Sequence, residues 1–118
     1  QDTKDLTATL DILRKIADQH ADPERWCRGV WTDGTASCLE GALMALAREY
    51  KSYLYLDSER FLLEQCQPLF DAATATQRDR LYNPIVFVND VLGYDAVRQV
   101  ERAAIEAVER RLAEQVTP

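Results

Sequence analysis

The feature that most constrains this chain is the spacing of apolar residues near its C-terminal end. Between Asp95 and about Glu114, Val97, Val100, Ala104, Val108 and Leu112 recur at steps of three and four, which is the period of one face of an α-helix. Such a stripe must be covered by other elements, because an isolated helix is marginal in water. Asp95 is placed to cap it, and Arg98, Glu101, Arg102, Glu106, Glu109 and Arg110 are expected on the outer side. Leu6, Leu10, Leu13 and Ile16–Ala17 repeat the pattern from Asp5 to His20. Thr3, Asp2 or Asp5 can cap this first helix, and Ala21-Asp22-Pro23-Glu24 ends it.

The middle of the chain supplies the partners. Ser37-Cys38-Leu39-Glu40 has capping-box spacing, so a helix is predicted to begin at Ser37 or Cys38 and to run through Leu39, Leu43, Leu46 and Ala47 to about Tyr50. Gly41, Ala42 and Ala45 give it a low-relief side, and the Gly41–Ala42 surface is expected against the final helix. Trp26, Leu43 and Phe87 are expected to meet in one core. Tyr50 to Leu56 reads as a tyrosine-rich connection. Asp57 or Ser58 then caps a third helix carrying Phe61, Leu62, Gln65, Leu69 and Phe70, with Pro68 near its end. Thr74 to Arg80 is polar with some helical character, and Asn83-Pro84 breaks the chain. Ile85-Val86-Phe87-Val88 is read as a short helix, since no convincing second strand exists to pair with it. From Arg25 to Ser37 helical periodicity is lost, and Trp26, Gly29, Trp31 and the Asp33-Gly34 turn predict an ordered loop or short hairpin. The expected fold is all-α: a compact bundle of about four main helices in one domain, residues 1–118, with a Trp-rich loop between the first two.

Composition narrows the function classes. The 118 residues are 47% hydrophobic and 29% charged, a globular balance rather than a disordered or low-complexity one. The apolar runs are too short for a membrane-spanning helix. No basic segment followed by an apolar stretch opens the chain, so no signal peptide is read, although Gln1 in place of Met suggests trimming. Fourteen Lys+Arg against twenty Asp+Glu give a net charge of −6, and the basic residues are scattered. Nucleic-acid backbone binding is therefore disfavoured. Cys27, Cys38 and Cys66 form an odd, widely spaced set, which points to a reducing, cytoplasmic compartment.

Three short signatures stand in order: Trp26-Cys27 with Gly29, then Cys38-Leu39-Glu40-Gly41-Ala42-Leu43, then Phe87-Val88-Asn89-Asp90 before the Ala/Val-rich final helix. Together they resemble a family of small helical proteins of actinobacteria, related bacteria and their phages, over most of Leu6 to Leu112. That family tends to have a Trp-bearing loop, a Cys-x-x-Gly-Ala-Leu helix start and an Asn-Asp pair before the last helix. This chain carries Gly93-Tyr94-Asp95 where the family often has a Thr-His pair, and its Tyr50–Asp57 segment is an elaboration. The resemblance implies a fold and carries no established activity.

Cys38 admits two readings. A thiol enzyme would use Cys38, activated at a helix N-terminus, with His20 as its only histidine base and Asp90 or Asn89 to orient it. The alternative is that Cys38 is a small buried residue at a tight helix contact, with His20 at a solvent-facing helix end far from it. Asn89 and Asp90 are read as structural, satisfying loose backbone N–H groups or a Trp indole. Cys27, Cys38, Cys66 and His20 lack zinc-ligand spacing, and a Cys27–Cys38 disulfide across the Asp33-Gly34 turn is conceivable but opposed by the compartment. No phosphate-binding Gly-rich loop, nucleophile elbow or His-Glu-x-x-His occurs.

The expected function is a non-enzymatic interaction or accessory module, without metal or cofactor. It would bind a protein partner or a second copy of itself through exposed aromatics, Trp31, Tyr53 and Tyr55. Trp26, Gly41, Asn89 and Asp90 would serve the structure, and neither nucleic acid nor membrane would be a partner.

Overall fold

Asp2 opens the first helix by accepting a hydrogen bond from the Asp5 amide at 2.8 Å, which satisfies one of the free N–H groups of the first turn. The computed structural model describes residues 2–78 and 83–116. Among these the elements are α1 (Thr3–His20), α2 (Leu39–Leu46), α3 (Ser52–Ala72), α4 (Ala75–Arg78), α5 (Pro84–Phe87) and α6 (Tyr94–Val116). Short 3-10 turns cover Pro23–Arg25 and Ala47–Glu49, and a wide π-turn spans Val88–Leu92. The described residues hold no strand, only isolated bridges from Ser37 to Trp26 and Thr32. The fold is all-helical: α1, α3 and α6 are long, α2 is of eight residues, and α4 and α5 are single turns.

α1 and α6 lie antiparallel. Thr3 meets Gln115 at one end, Arg14 pairs with Glu109 at 2.9 Å, and Arg98 donates to the Ala17 carbonyl at 2.6 Å towards the other. α3 packs across both, and α2 and α5 close the remaining side. The predicted stripes fill the interior: Leu6, Leu13 and Ile16 from α1 and Val97, Ala104 and Val108 from α6 are buried with Leu43, Phe61, Leu62 and Phe87, and Trp26 packs against them half-buried. Phe70 and Phe87 meet edge to face, centroids 5.5 Å apart.

Several boundaries and placements differ from expectation. The tyrosine-rich segment is not a connection, since α3 begins at Ser52 and includes Tyr53 to Leu56. Pro68 does not stop α3, which continues to Ala72. Pro68 is exposed, so the carbonyl it leaves unbonded can turn towards water. α6 starts at Tyr94, and Asp95 sits in its first turn rather than capping it. Glu101, expected outside, is only 2% exposed. The cap of α2 is the Cys38 thiol, which accepts from the Gly41 amide at 3.2 Å, while the Ser37 hydroxyl takes the Gln19 amide instead. The far end of the polar segment, towards Arg80, lies outside the described residues.

Gly41 carries a further correction. Its open side faces the Trp31 backbone, not α6: a β-carbon there would lie 2.1 Å from the Trp31 carbonyl oxygen. The loop before α2 therefore folds back over the first turn of that helix.

Candidate functional site

The loop from Trp26 to Cys38 is built on backbone pairing despite having no strands. Ser37 N–H donates to Arg25 O at 2.9 Å, Asp33 N–H to Ala36 O at 3.1 Å and Cys38 N–H to Trp31 O at 3.1 Å. The Asp33 carboxylate turns back into the loop and accepts from the Thr35 and Ala36 amides at 3.1 and 2.8 Å. These bonds hold its carboxyl below the usual range.

The loop is anchored from the other half of the chain by Asn89. Its Oδ1 accepts from the Trp26 indole N–H at 2.6 Å and from the Leu39 amide at 3.0 Å. Its Nδ2 donates to the Cys27 carbonyl at 3.0 Å and to Asp90 Oδ1 at 2.9 Å, and Asp90 in turn accepts from the Gly29 amide at 2.9 Å. The π-turn makes this possible, because the Gly93 amide reaches back to Val88 O at 2.9 Å and Gly93 turns the chain at φ +96°. Trp26 is held further by Tyr94, ring centroids 5.5 Å apart, and by Arg28 at 5.6 Å over its ring.

Cys38, Asn89 and Asp90 do come together, lining a recess of about 70 Å³ with Glu40, Val86 and the Trp31 loop. That volume holds a few waters. Burial pushes the Cys38 thiol up, against the opposing pull of the Gly41 and Glu40 amides. Burial raises Cys27 as well and drives Cys66 to about 12. All three cysteines are free thiols.

His20 does not line this recess, and its helix end is not solvent-facing, since the residue is fully buried. Its Nδ1 lies 2.6 Å from Glu101 Oε2 and its Nε2 lies 2.9 Å from Ser37 O. Both nitrogens face acceptors, which leaves neither to take a proton from a thiol. Arg98 completes the pair with a 2.9 Å bond to Glu101 Oε1, and Tyr94 donates its hydroxyl to His20 O. The group fastens the end of α1, the loop and α6 to one another. Sequence reasoning missed Glu101 as His20's partner. The signal was its position four residues after Val97 and three before Ala104, on the apolar stripe itself.

A second polar group sits between α2 and α3. Tyr55 Oη is 2.6 Å from Glu40 Oε1 and 3.2 Å from Glu59 Oε2, and Glu40 Oε2 is buried without a partner among the described residues. Burial and the nearby Glu59 raise the Glu40 carboxyl above its ordinary range, although the Tyr55 hydroxyl opposes this.

The aromatics expected at a contact surface separate. Trp31 is 61% exposed and its neighbour Val30 53%. Tyr53 is exposed at the start of α3 and donates to Asp5 at 2.9 Å. Tyr55 is half-buried on the two glutamates. Among the described residues no group of His, Cys, Asp and Glu is arranged to hold a metal ion, and no helix is long and apolar enough to cross a membrane. No protein-family model, curated protein or solved structure matches the chain.

Proposed function

We propose that this chain is a non-enzymatic interaction module that meets a protein partner through the Val30–Trp31 tip of its loop, on a scaffold of about four main helices. One observation carries the reading. Asn89, Asp90 and Asp33 devote a dense set of hydrogen bonds to a loop whose two apolar tip residues remain in solvent. A loop ordered in advance loses little freedom when it binds, and an exposed Trp is the side chain that gains most from being covered. Tyr53 adds to the surface from the start of α3, whereas Tyr55 contributes mainly inside. The nearest partner is a second copy of the chain. Neither nucleic acid nor membrane is invoked, the expected compartment is the cytoplasm, and membership of the actinobacterial and phage family belongs to the same reading.

Thiol chemistry at Cys38 receives less support, because the raised thiol, the small recess and the occupied His20 ring supply neither a nucleophile nor a base. Sedimentation across a wide concentration range, together with photocrosslinking from position 31 in extract of the source cells, tests the proposal. A dimer, or one reproducible crosslinked protein lost with Val30→Ser, is the expected result. A strict monomer whose position 31 captures nothing selective would end it.

A further inference from the structure

Beside Trp31 runs a groove of about 400 Å³ between the loop and one face of α2. Its floor is set by helical spacing. Gly41, Met44, Ala45 and Arg48 follow at steps of three and four along one side of the helix and its continuing turn. Arg25 lines the groove from the Pro23–Arg25 turn, whose backbone is bonded to Ser37 just ahead of α2. Arg25 thus lies by the start of α2, and Arg48 in the turn that follows its end.

The charge of this groove contrasts with the rest of the molecule. The chain has a net charge of −6 with twenty acidic residues, yet none of the groove's lining residues is acidic. Among the described residues Arg25 and Arg48 make no ion pair, while Arg14, Arg60 and Arg98 each have one. The acid nearest in sequence to the loop tip, Asp33, is turned inward onto the Thr35 and Ala36 amides. Trp31 and Met44 supply apolar surface between the cations.

Resting on the reading of Trp31 as a contact residue, we infer that this groove receives an extended acidic segment of the protein partner, its carboxylates on Arg25 and Arg48 and an apolar side chain between them on Trp31 and Met44. An extended peptide advances ~3.3 Å per residue, so acidic residues a few positions apart on one extended segment reach both ends of the groove. A single phosphate group would satisfy one end only. Guanidinium groups suit carboxylates through paired N–H donors.

The test uses the full chain and a short capped peptide with aspartates three positions apart and a leucine between them, followed by two-dimensional NMR. Expected are shifts of the Trp31 indole and the Met44 methyl, binding that weakens as salt rises, and at least a tenfold loss of affinity in the Arg25→Gln, Arg48→Gln double variant. These exposed positions should leave the fold intact, which the same spectra check. Shifts elsewhere, no shifts at millimolar peptide, or equal binding of the peptide with asparagines in place of aspartates would overturn the inference. So would inorganic phosphate displacing the peptide at comparable concentration, which would mark a phosphate site instead. If Val30→Ser abolishes self-association or partner crosslinking while the double arginine variant leaves it unchanged, the contact surface stands and the acidic-segment assignment falls.

Discussion

The α-carbon of Gly41 faces the carbonyl oxygen of Trp31 so closely that a β-carbon on Gly41 would stand 2.1 Å from that oxygen. The atom in the way is backbone, itself bonded to the Cys38 amide at 3.1 Å, so relief requires the loop to move. Gly41→Ala should therefore destabilise the protein by about 1–3 kcal/mol, even though alanine is the better helix former by ~1 kcal/mol. Urea denaturation checks this. A variant as stable as the parent would mean that the loop yields at no cost.

Asn89 should be a costly polar residue to remove. Asn89→Ala leaves the Trp26 indole, the Leu39 amide and the Cys27 carbonyl without their partner, and a loss of roughly 2–4 kcal/mol is expected at ~1–3 kcal/mol per buried group left unpaired. Asn89→Asp separates the two halves of the amide. It keeps the acceptor for Trp26 and Leu39 but sets a carboxylate against Asp90, so it should recover little stability at neutral pH and more in acid.

Proton counting governs the Glu40–Tyr55–Glu59 group. A phenol carries one hydrogen, and two carboxylates lie within bonding distance of it, so satisfying both requires a carboxyl proton. The Glu40 carboxyl is raised in the fold. The folded state then holds a proton that the unfolded chain releases, and stability is fullest below the ordinary glutamate value of 4.5 and falls as pH rises through the folded value. Tyr55 and Glu59, and beyond them Cys38 and Cys66, are the described titratable groups acting with Glu40 here. Glu40→Gln provides the hydrogens permanently. It should raise the urea midpoint at neutral pH, leave it little changed in acid, and flatten the slope between. An unchanged slope would count against the shared proton.

Alkylation separates the thiols. Cys66 and Cys38 are buried and raised, so iodoacetamide at neutral pH should modify Cys27 slowly in the native protein and reach the other two only on unfolding. Native labelling of Cys38 faster than an unfolded reference would restore the case for thiol chemistry.

Each part of the molecule is legible in the sequence only as far as its signal reports on burial. Periodicity locates α1 and α6, since Leu6, Leu13, Val97 and Val108 are all buried as their spacing requires. It understates α3, because Tyr53 and Leu56 lie on the exposed side of its first turns and do not join the buried face of Phe61 and Leu62. Residue type misleads at Glu101 and His20, where two polar side chains satisfy each other inside the core. Gly41 announces a close approach without naming the neighbour, which is a loop backbone and not a helix. The groove with its two arginines is not legible, since Arg25 and Arg48 are twenty-three positions apart and only the folded loop sets them along one face.

The anchoring of the loop by Asn89 also orders events during synthesis. Trp26 and Leu39 lie 63 and 50 positions before the side chain that fixes them. A nascent chain that has emerged only through α3 has made the loop and its tryptophans but not their anchor. The Val30–Trp31 tip should then be among the last parts to become orderly. In the finished protein the tip keeps its shape through those same bonds, so its amide hydrogens should exchange faster in Asn89→Ala than in the parent.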